Sequence, residues 1–219
     1  MKTEFALLTH GEQAVLFNWS EKVRLERVTC ELDPGHQRPG RMLTPLSVEI
    51  PSGPITDVLW TWQSDLLVGP RAAEVFAGLH LSGYELVKAE VLSSTRNKKP
   101  QLWEFKVTGW AGSASPDSGI KLDFRCKSCG HRHYSLCRHP ERIIDETNWD
   151  GSDFFMVWPL PRFIFVTTKV MQAFRDNDLT GAVFQRIHEI NLGTNGFSPG
   201  LLEYWMPNSR IATLQDKPE

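Results

Sequence analysis

Matched residues 98 positions apart constrain the fold of this chain more than any other feature. Trp60 falls on Trp158, Val68 on Val166, Phe76 on Phe174, Leu81 on Leu179 and Gly83 on Gly181, while Arg71 meets Lys169 and Ser82 meets Thr180. The matches lie at strand ends, on a helix face and at a closing turn, where a recurring strand–helix–strand unit needs them. In the first copy Asp65-Leu66-Leu67-Val68 reads as a short buried strand, and Gly69-Pro70 opens a helix with proline at its first position. Ala72, Val75, Phe76 and Leu79 then form one apolar face at helical spacing. Ser82-Gly83 ends the helix, and residues 84–91 read as the returning strand. In the second copy residues 154–166 are strongly apolar and broken by Pro159 and Pro161. Thr167 is placed to cap the next helix by accepting a bond from a first-turn amide, and Val170, Ala173 and Phe174 form its buried face. Residues 182–190 read as a last strand.

Shorter strand-like segments surround these units: one or two within residues 1–28, then 46–50, 101–110 and 120–124. Turn signals at Asp33-Pro34-Gly35 and Pro51-Ser52-Gly53-Pro54, and a polar basic loop over 93–100, separate them. The expectation is an α+β fold of two related strand–helix–strand halves with antiparallel or mixed sheet. The halves are residues 1–98 and 99–219 within one compact unit. The tail from Asn195 is loop-rich, with Tyr204-Trp205 expected to pack back onto the body.

Between the two strand–helix–strand units, within residues 99–219, a zinc-knuckle-like hairpin is expected at Cys126-Lys127-Ser128-Cys129-Gly130, followed by His131, His133, Cys137 and His139. Two cysteines two residues apart, with glycine next, let backbone amides turn toward both sulfurs while the thiolates grip one metal ion, usually zinc. Cys137 and His139 are candidate third and fourth ligands, with Cys30 as the rival donor. If the chain ran straight from the knuckle at ~3.3 Å per residue it would carry Cys137 ~20 Å away, so that role requires it to fold back. His131 and His133 alternate and are expected to share a strand face at the surface. Carrying Cys30 forward by 98 places it at position 128, between Cys126 and Cys129, so the first copy keeps the remnant of a knuckle. Asp33-Pro34-Gly35 stands where a second cysteine and glycine would be.

Composition narrows the function. A formal net charge of −2 argues against a general nucleic-acid binder. The chain has no signal-peptide pattern and no apolar run long enough to span a bilayer, and four clustered cysteines suit thiols in a reducing compartment, so a cytoplasmic protein is expected. No nucleophile elbow, phosphate loop or HExxH motif is present, which disfavours an enzyme.

Several separated motifs, taken in order, resemble the bacterial double-CxxCG motif proteins, the immunity proteins of toxin–immunity systems. They are Asp57-Val58-Leu59-Trp60, Asp65-Leu66-Leu67-Val68, Leu81-Ser82-Gly83-Tyr84-Glu85-Leu86, Val107-Thr108-Gly109-Trp110-Ala111-Gly112 through Ser118-Gly119, the Cys126–Gly130 knuckle, and Asp150-Gly151-Ser152-Asp153-Phe154-Phe155. The similarity spans about residues 28–190 and departs from the family at the first CxxCG, which is incomplete here. It implies a non-catalytic protein that binds and neutralises one cognate toxin, with any zinc structural. Asp145, Glu146, Trp149 and Asp150 then become candidate partner-binding residues, because carboxylates complementary to a basic toxin speed association. The competing readings are a zinc-ribbon-type binding module in nucleic-acid regulation and a thiol-dependent enzyme.

Overall fold

A computed structural model describes residues 4–11, 14–50, 55–92, 99–192, 196–199, 206 and 210–211. The Pro51–Pro54 turn, most of the 93–100 loop and Tyr204-Trp205 lie outside the described residues. The strands are, in chain order, β1 (Phe5–Thr9), β2 (Leu16–Trp19), β3 (Leu25–Val28), β4 (Arg38–Met42), β5 (Ser47–Glu49), β6 (Val58–Thr61) and β7 (Leu66–Val68). Helix α1 (Pro70–Gly78) precedes β8 (Tyr84–Lys88), β9 (Glu90–Leu92), β10 (Trp103–Val107), β11 (Gly109–Ser113), β12 (Leu122–Arg125) and β13 (Arg132–Tyr134). After β14 (Phe154–Trp158) and β15 (Ile164–Thr167), helix α2 (Thr168–Asp176) leads into β16 (Val183–Arg186).

The α+β expectation holds at the level of class: strands predominate, with two helices among the described residues. A seven-stranded sheet runs β8-β10-β7-β6-β2-β5-β9 and a five-stranded sheet runs β11-β14-β15-β1-β16. Their strands alternate between two apolar faces, as a side-chain period of two requires. Val58, Trp60, Leu66 and Val68 of the first sheet meet Ala6, Leu8, Phe154, Met156, Ile164 and Val166 of the second in one central core. The intervening residues face outer clusters: Leu59 and Leu67 on one side, Leu7, Phe155, Val157 and Phe165 on the other. Both helices turn their apolar stripes into the central core, with the Phe76 and Phe174 rings 5.8 Å apart. Strands buried on both faces explain why residues 154–158 read as an unbroken apolar run.

The boundary at residue 98 does not separate the sheets. Strand β1 lies in the five-stranded sheet between β15 and β16, whereas β10 lies in the seven-stranded sheet between β7 and β8. Each sheet therefore borrows an inner strand from the opposite side of that boundary. Residues 1–98 and 99–219, expressed as two chains in one cell, should copurify as one complex on size exclusion. Independent elution of two folded fragments would refute this interleaving.

Contacts around the two helices come in reciprocal pairs. Asp153, just before β14, accepts hydrogen bonds from the Ser82 amide and hydroxyl at 2.9 and 3.0 Å. Asp57, just before β6, accepts from the Thr180 amide and hydroxyl, both at 2.8 Å. Lys169 pairs with Asp153 at 3.4 Å and Arg71 with Asp57 at 3.0 Å. His80 and Asp178 both take left-handed backbone at φ of 50° and 48°, and Gly83 and Gly181 follow at 86° and 97°.

Three local expectations need correction. The Thr167 hydroxyl does not cap α2; it donates to Asp153 at 3.2 Å. The long-range partner displaces a local cap. Strand β16 stops at Arg186, and Ile187–Glu189 forms a 3₁₀ turn instead of continuing to 190. Residues 84–91 form β8 and the start of β9, and β8 pairs with β10.

Candidate metal centre

Two small hairpins stand apart from the sheets: β3 with β4, and β12 with β13, each antiparallel. The loop of the first carries Cys30 and His36, and the loop of the second carries Cys126 and Cys129. The ligand atoms of these four residues all lie within 4.8 Å of one another. Cys30 Sγ is 3.6 Å from Cys126 Sγ, and Cys129 Sγ is 3.8 Å from His36 Nδ1. A tetrahedral zinc with Zn–S bonds of about 2.3 Å sets its sulfurs about 3.8 Å apart. The spacing and the donor set therefore fit a metal ion held by three thiolates and one imidazole.

Local chemistry builds each loop. The Cys126 amide donates to the His131 carbonyl at 2.7 Å, and the Gly130 amide closes the turn onto the Cys126 carbonyl at 3.0 Å. Gly130 takes φ of 68°, which glycine adopts without a Cβ penalty. In the first loop Asp33 Oδ1 accepts from the Gly35 amide at 2.8 Å and so starts the Pro34–His36 3₁₀ turn. That turn brings His36 back toward Cys30. Asp33 Oδ2 lies 3.3 Å from His36 Nε2, leaving Nδ1 to face the sulfurs. A carboxylate on the far ring nitrogen orients a ligating imidazole and raises its basicity. Arg38 places Nη1 3.6 Å from Cys129 Sγ and donates through Nη2 to the Cys129 carbonyl at 2.8 Å. Its charge offsets the net −1 of three thiolates around a divalent ion. His131 stacks on His36 at 4.4 Å, with Phe124 at 5.6 Å on the same ring.

The thiols respond to these surroundings. Burial pushes the Cys30 thiol up, but hydrogen bonds from His36 and the Asp33 and Leu32 amides outweigh it and bring the pKa down to about 6. The Cys129 and Ser128 amides hold Cys126 below the ordinary thiol range against burial. Burial raises Cys129, and it raises Cys137. In the metal-free chain at neutral pH iodoacetamide should therefore modify Cys30 before Cys137, read by peptide mapping. The Cys30 rate should titrate near pH 6, and equal rates at Cys30 and Cys137 would contradict these surroundings.

The expected ligands divide. Cys126 and Cys129 lie in the cluster, and Cys30 joins them, but Cys137 and His139 do not. Strand β13 runs back along β12, so by residue 138 the chain has reached Ser118, beyond the end of β12 farthest from the knuckle. Cys137 Sγ there faces the Ser118 carbonyl at 3.6 Å, and His139 Nδ1 lies 3.4 Å from Glu141. The chain does not fold back to close the site. His36 completes the cluster and was missed, as was Arg38. The available signal was the Asp33-Pro34-Gly35 turn, which returns the sixth residue after Cys30 toward it. His131 and His133 do share a face, and both approach the Ser198 hydroxyl, at 3.4 and 3.3 Å.

The acid cluster is mostly committed to internal bonds. Asp145 accepts from the Thr147 hydroxyl and amide and from Asn148, and these bonds hold its carboxyl below the usual range. Asp150 accepts from the Trp110 and Ser152 amides and pairs with Arg210 at 3.3 Å. The Trp149 ring packs on Phe5 and Phe155 while its Nε1 donates to the Ser152 carbonyl. Glu146 is exposed and lines a cavity of about 340 Å³ with Glu4, Phe5, Glu141 and Arg186. Among the described residues no helix is long and apolar enough to cross a membrane. No family model matches the chain, and no curated protein matches it.

Proposed function

We propose that this chain is a cytoplasmic bacterial immunity protein that binds and neutralises one cognate protein toxin without catalysing a reaction. Its two related strand–helix–strand halves are stapled by a structural zinc. The observation that carries the proposal is the meeting of two hairpin loops, one from each half, around Cys30, His36, Cys126 and Cys129. A two-knuckle family is expected to pair its motifs in this way, and His36 stands in for the cysteine that the first motif lacks. Four protein donors fill a tetrahedral shell and leave no position for a substrate, which favours a structural metal over a catalytic one. Matching bounds support the duplication: Pro70–Gly78 shifted by 98 gives Thr168–Asp176, and Phe5–Thr9 gives Trp103–Val107.

The zinc contributes by cross-linking the loops of two two-stranded hairpins, and its binding energy becomes folding energy. Asp33 orients His36, Arg38 offsets the charge, and the knuckle amides stabilise Cys126 as thiolate. The toxin-facing surface includes Glu146, whose carboxylate is exposed.

The deciding experiment pairs the chain with the product of its neighbouring reading frame. Co-expression should rescue cells from a toxic product, and the two proteins should copurify as a stable complex. A toxic neighbour that the chain neither binds nor neutralises would refute the proposal.

A further inference from the structure

The same two loops hold a pair of sulfurs set for a different cross-link. We infer that in the metal-free chain Cys30 and Cys126 are a disulfide-forming pair, oxidised by a low-molecular-weight disulfide. Their sulfurs are already 3.6 Å apart, so a bond of about 2.05 Å needs only a small approach of two loop residues. Cys30 is half-buried and open to an oxidant, whereas Cys126 is only 4% exposed and sits behind it. This arrangement makes Cys30 the attacking thiol and Cys126 the resolving one.

The two other cysteines are less suited. Arg38 holds Cys129 at both its sulfur and its carbonyl oxygen, which fixes its backbone. Cys137 lies against the Ser118 carbonyl, beyond the other end of the hairpin. The CxxC pair is therefore not the pair that oxidises.

The chemistry balances with glutathione disulfide as oxidant. The Cys30 thiolate attacks one of its sulfurs and expels a glutathione thiolate, leaving a mixed disulfide on Cys30. Cys126 Sγ then attacks Cys30 Sγ and expels the second glutathione thiolate. Two protein thiols lose two electrons, one glutathione disulfide is reduced, and the two thiol protons pass to the two glutathiones. The new bond joins residues 96 apart, between the same two loops that a metal would bridge. Oxidation thus replaces one staple by another instead of opening the site, and long-loop cross-links constrain the unfolded chain most.

The test treats the metal-free, reduced chain with glutathione disulfide and maps the products without reduction. Free thiols should fall from the four in the sequence to about two, with Cys30 linked to Cys126 as the main product. Cys129→Ser and Cys137→Ser should form the same link, and Cys30→Ser should form none. Zinc-loaded chain should react at least ~10-fold more slowly, because bound thiolates are unavailable. A dominant Cys126–Cys129 bond, glutathione retained on Cys30, a scrambled mixture or four surviving thiols would each overturn the inference. The metal-free arm does not depend on zinc. A chain that never binds zinc yet forms this bond would refute the metal proposal and leave the inference standing.

Discussion

Gly181→Ala is expected to cost about 4 kcal/mol or more, a large share of a domain's typical stability. Gly181 takes φ of 97°, a backbone conformation that L side chains rarely adopt. A Cβ there would meet the Val58 carbonyl oxygen and the Thr56 side chain far inside van der Waals contact. Neither neighbour can withdraw cheaply. The Val58 amide donates to the Thr180 carbonyl at 3.1 Å, so the start of β6 is bonded to the turn it would have to leave. Trp60 Nε1 also donates to the Gly181 carbonyl at 3.0 Å. Gly83→Ala should behave alike, because its Cβ would strike the Phe154 carbonyl and Ser152, and the Phe154 amide is tied to Ser82 at 3.0 Å. Gly78 supplies the control. It lies in α1, where an added methyl would meet nothing within 4 Å, so Gly78→Ala should stabilise by about 0.5–1 kcal/mol. Urea midpoints would measure all three, and equal small shifts at 78, 83 and 181 would contradict the close approach.

Withdrawing the metal is the second large perturbation. The β3/β4 and β12/β13 hairpins are two-stranded sheets, and such hairpins are marginal alone. Chelating zinc should lower the thermal midpoint by on the order of 10 °C, at roughly 2–4 °C per kcal/mol for a chain of this size. Most of the central core should survive, since nearly all its residues come from the two large sheets and the helices, with Tyr134 of β13 the hairpin's contribution to it. Cys126→Ser should reproduce the loss, and chelator added to that variant should cause no further drop. Acid acts in the same direction. The Cys30 thiol is depressed in the folded chain, so its thiolate contributes stability above the ordinary thiol pKa and loses it as pH falls through about 6.

Much of this fold was legible in the sequence, and the illegible part has a common cause. Local periodicity locates both helices, because Phe76 and Phe174 mark apolar faces at helical spacing. Cys126, Cys129 and Gly130 carry their geometry in their spacing, so half of the site was readable. What pairs with what was not. Nothing in the alternation of Phe5–Thr9 says that it enters a sheet built from residues beyond 108. His36 joins the cluster only when its turn closes and a second hairpin arrives about 90 residues later. Cys137 and His139 lie near the knuckle in sequence, but the direction of the hairpin carries them away from it. Asp145 accepts bonds within its own turn and Asp150 accepts one from the distant Trp110 amide, pairings that their spacing in the sequence does not announce.

The most direct measurement is zinc bound per chain in single-residue variants, by elemental analysis after exhaustive dialysis. The native chain should carry one zinc, as should Cys137→Ser and His139→Ala. Cys30→Ser, His36→Ala, Cys126→Ser and Cys129→Ser should each lose it. Zinc kept by His36→Ala but lost from Cys137→Ser or His139→Ala would contradict the four-residue centre.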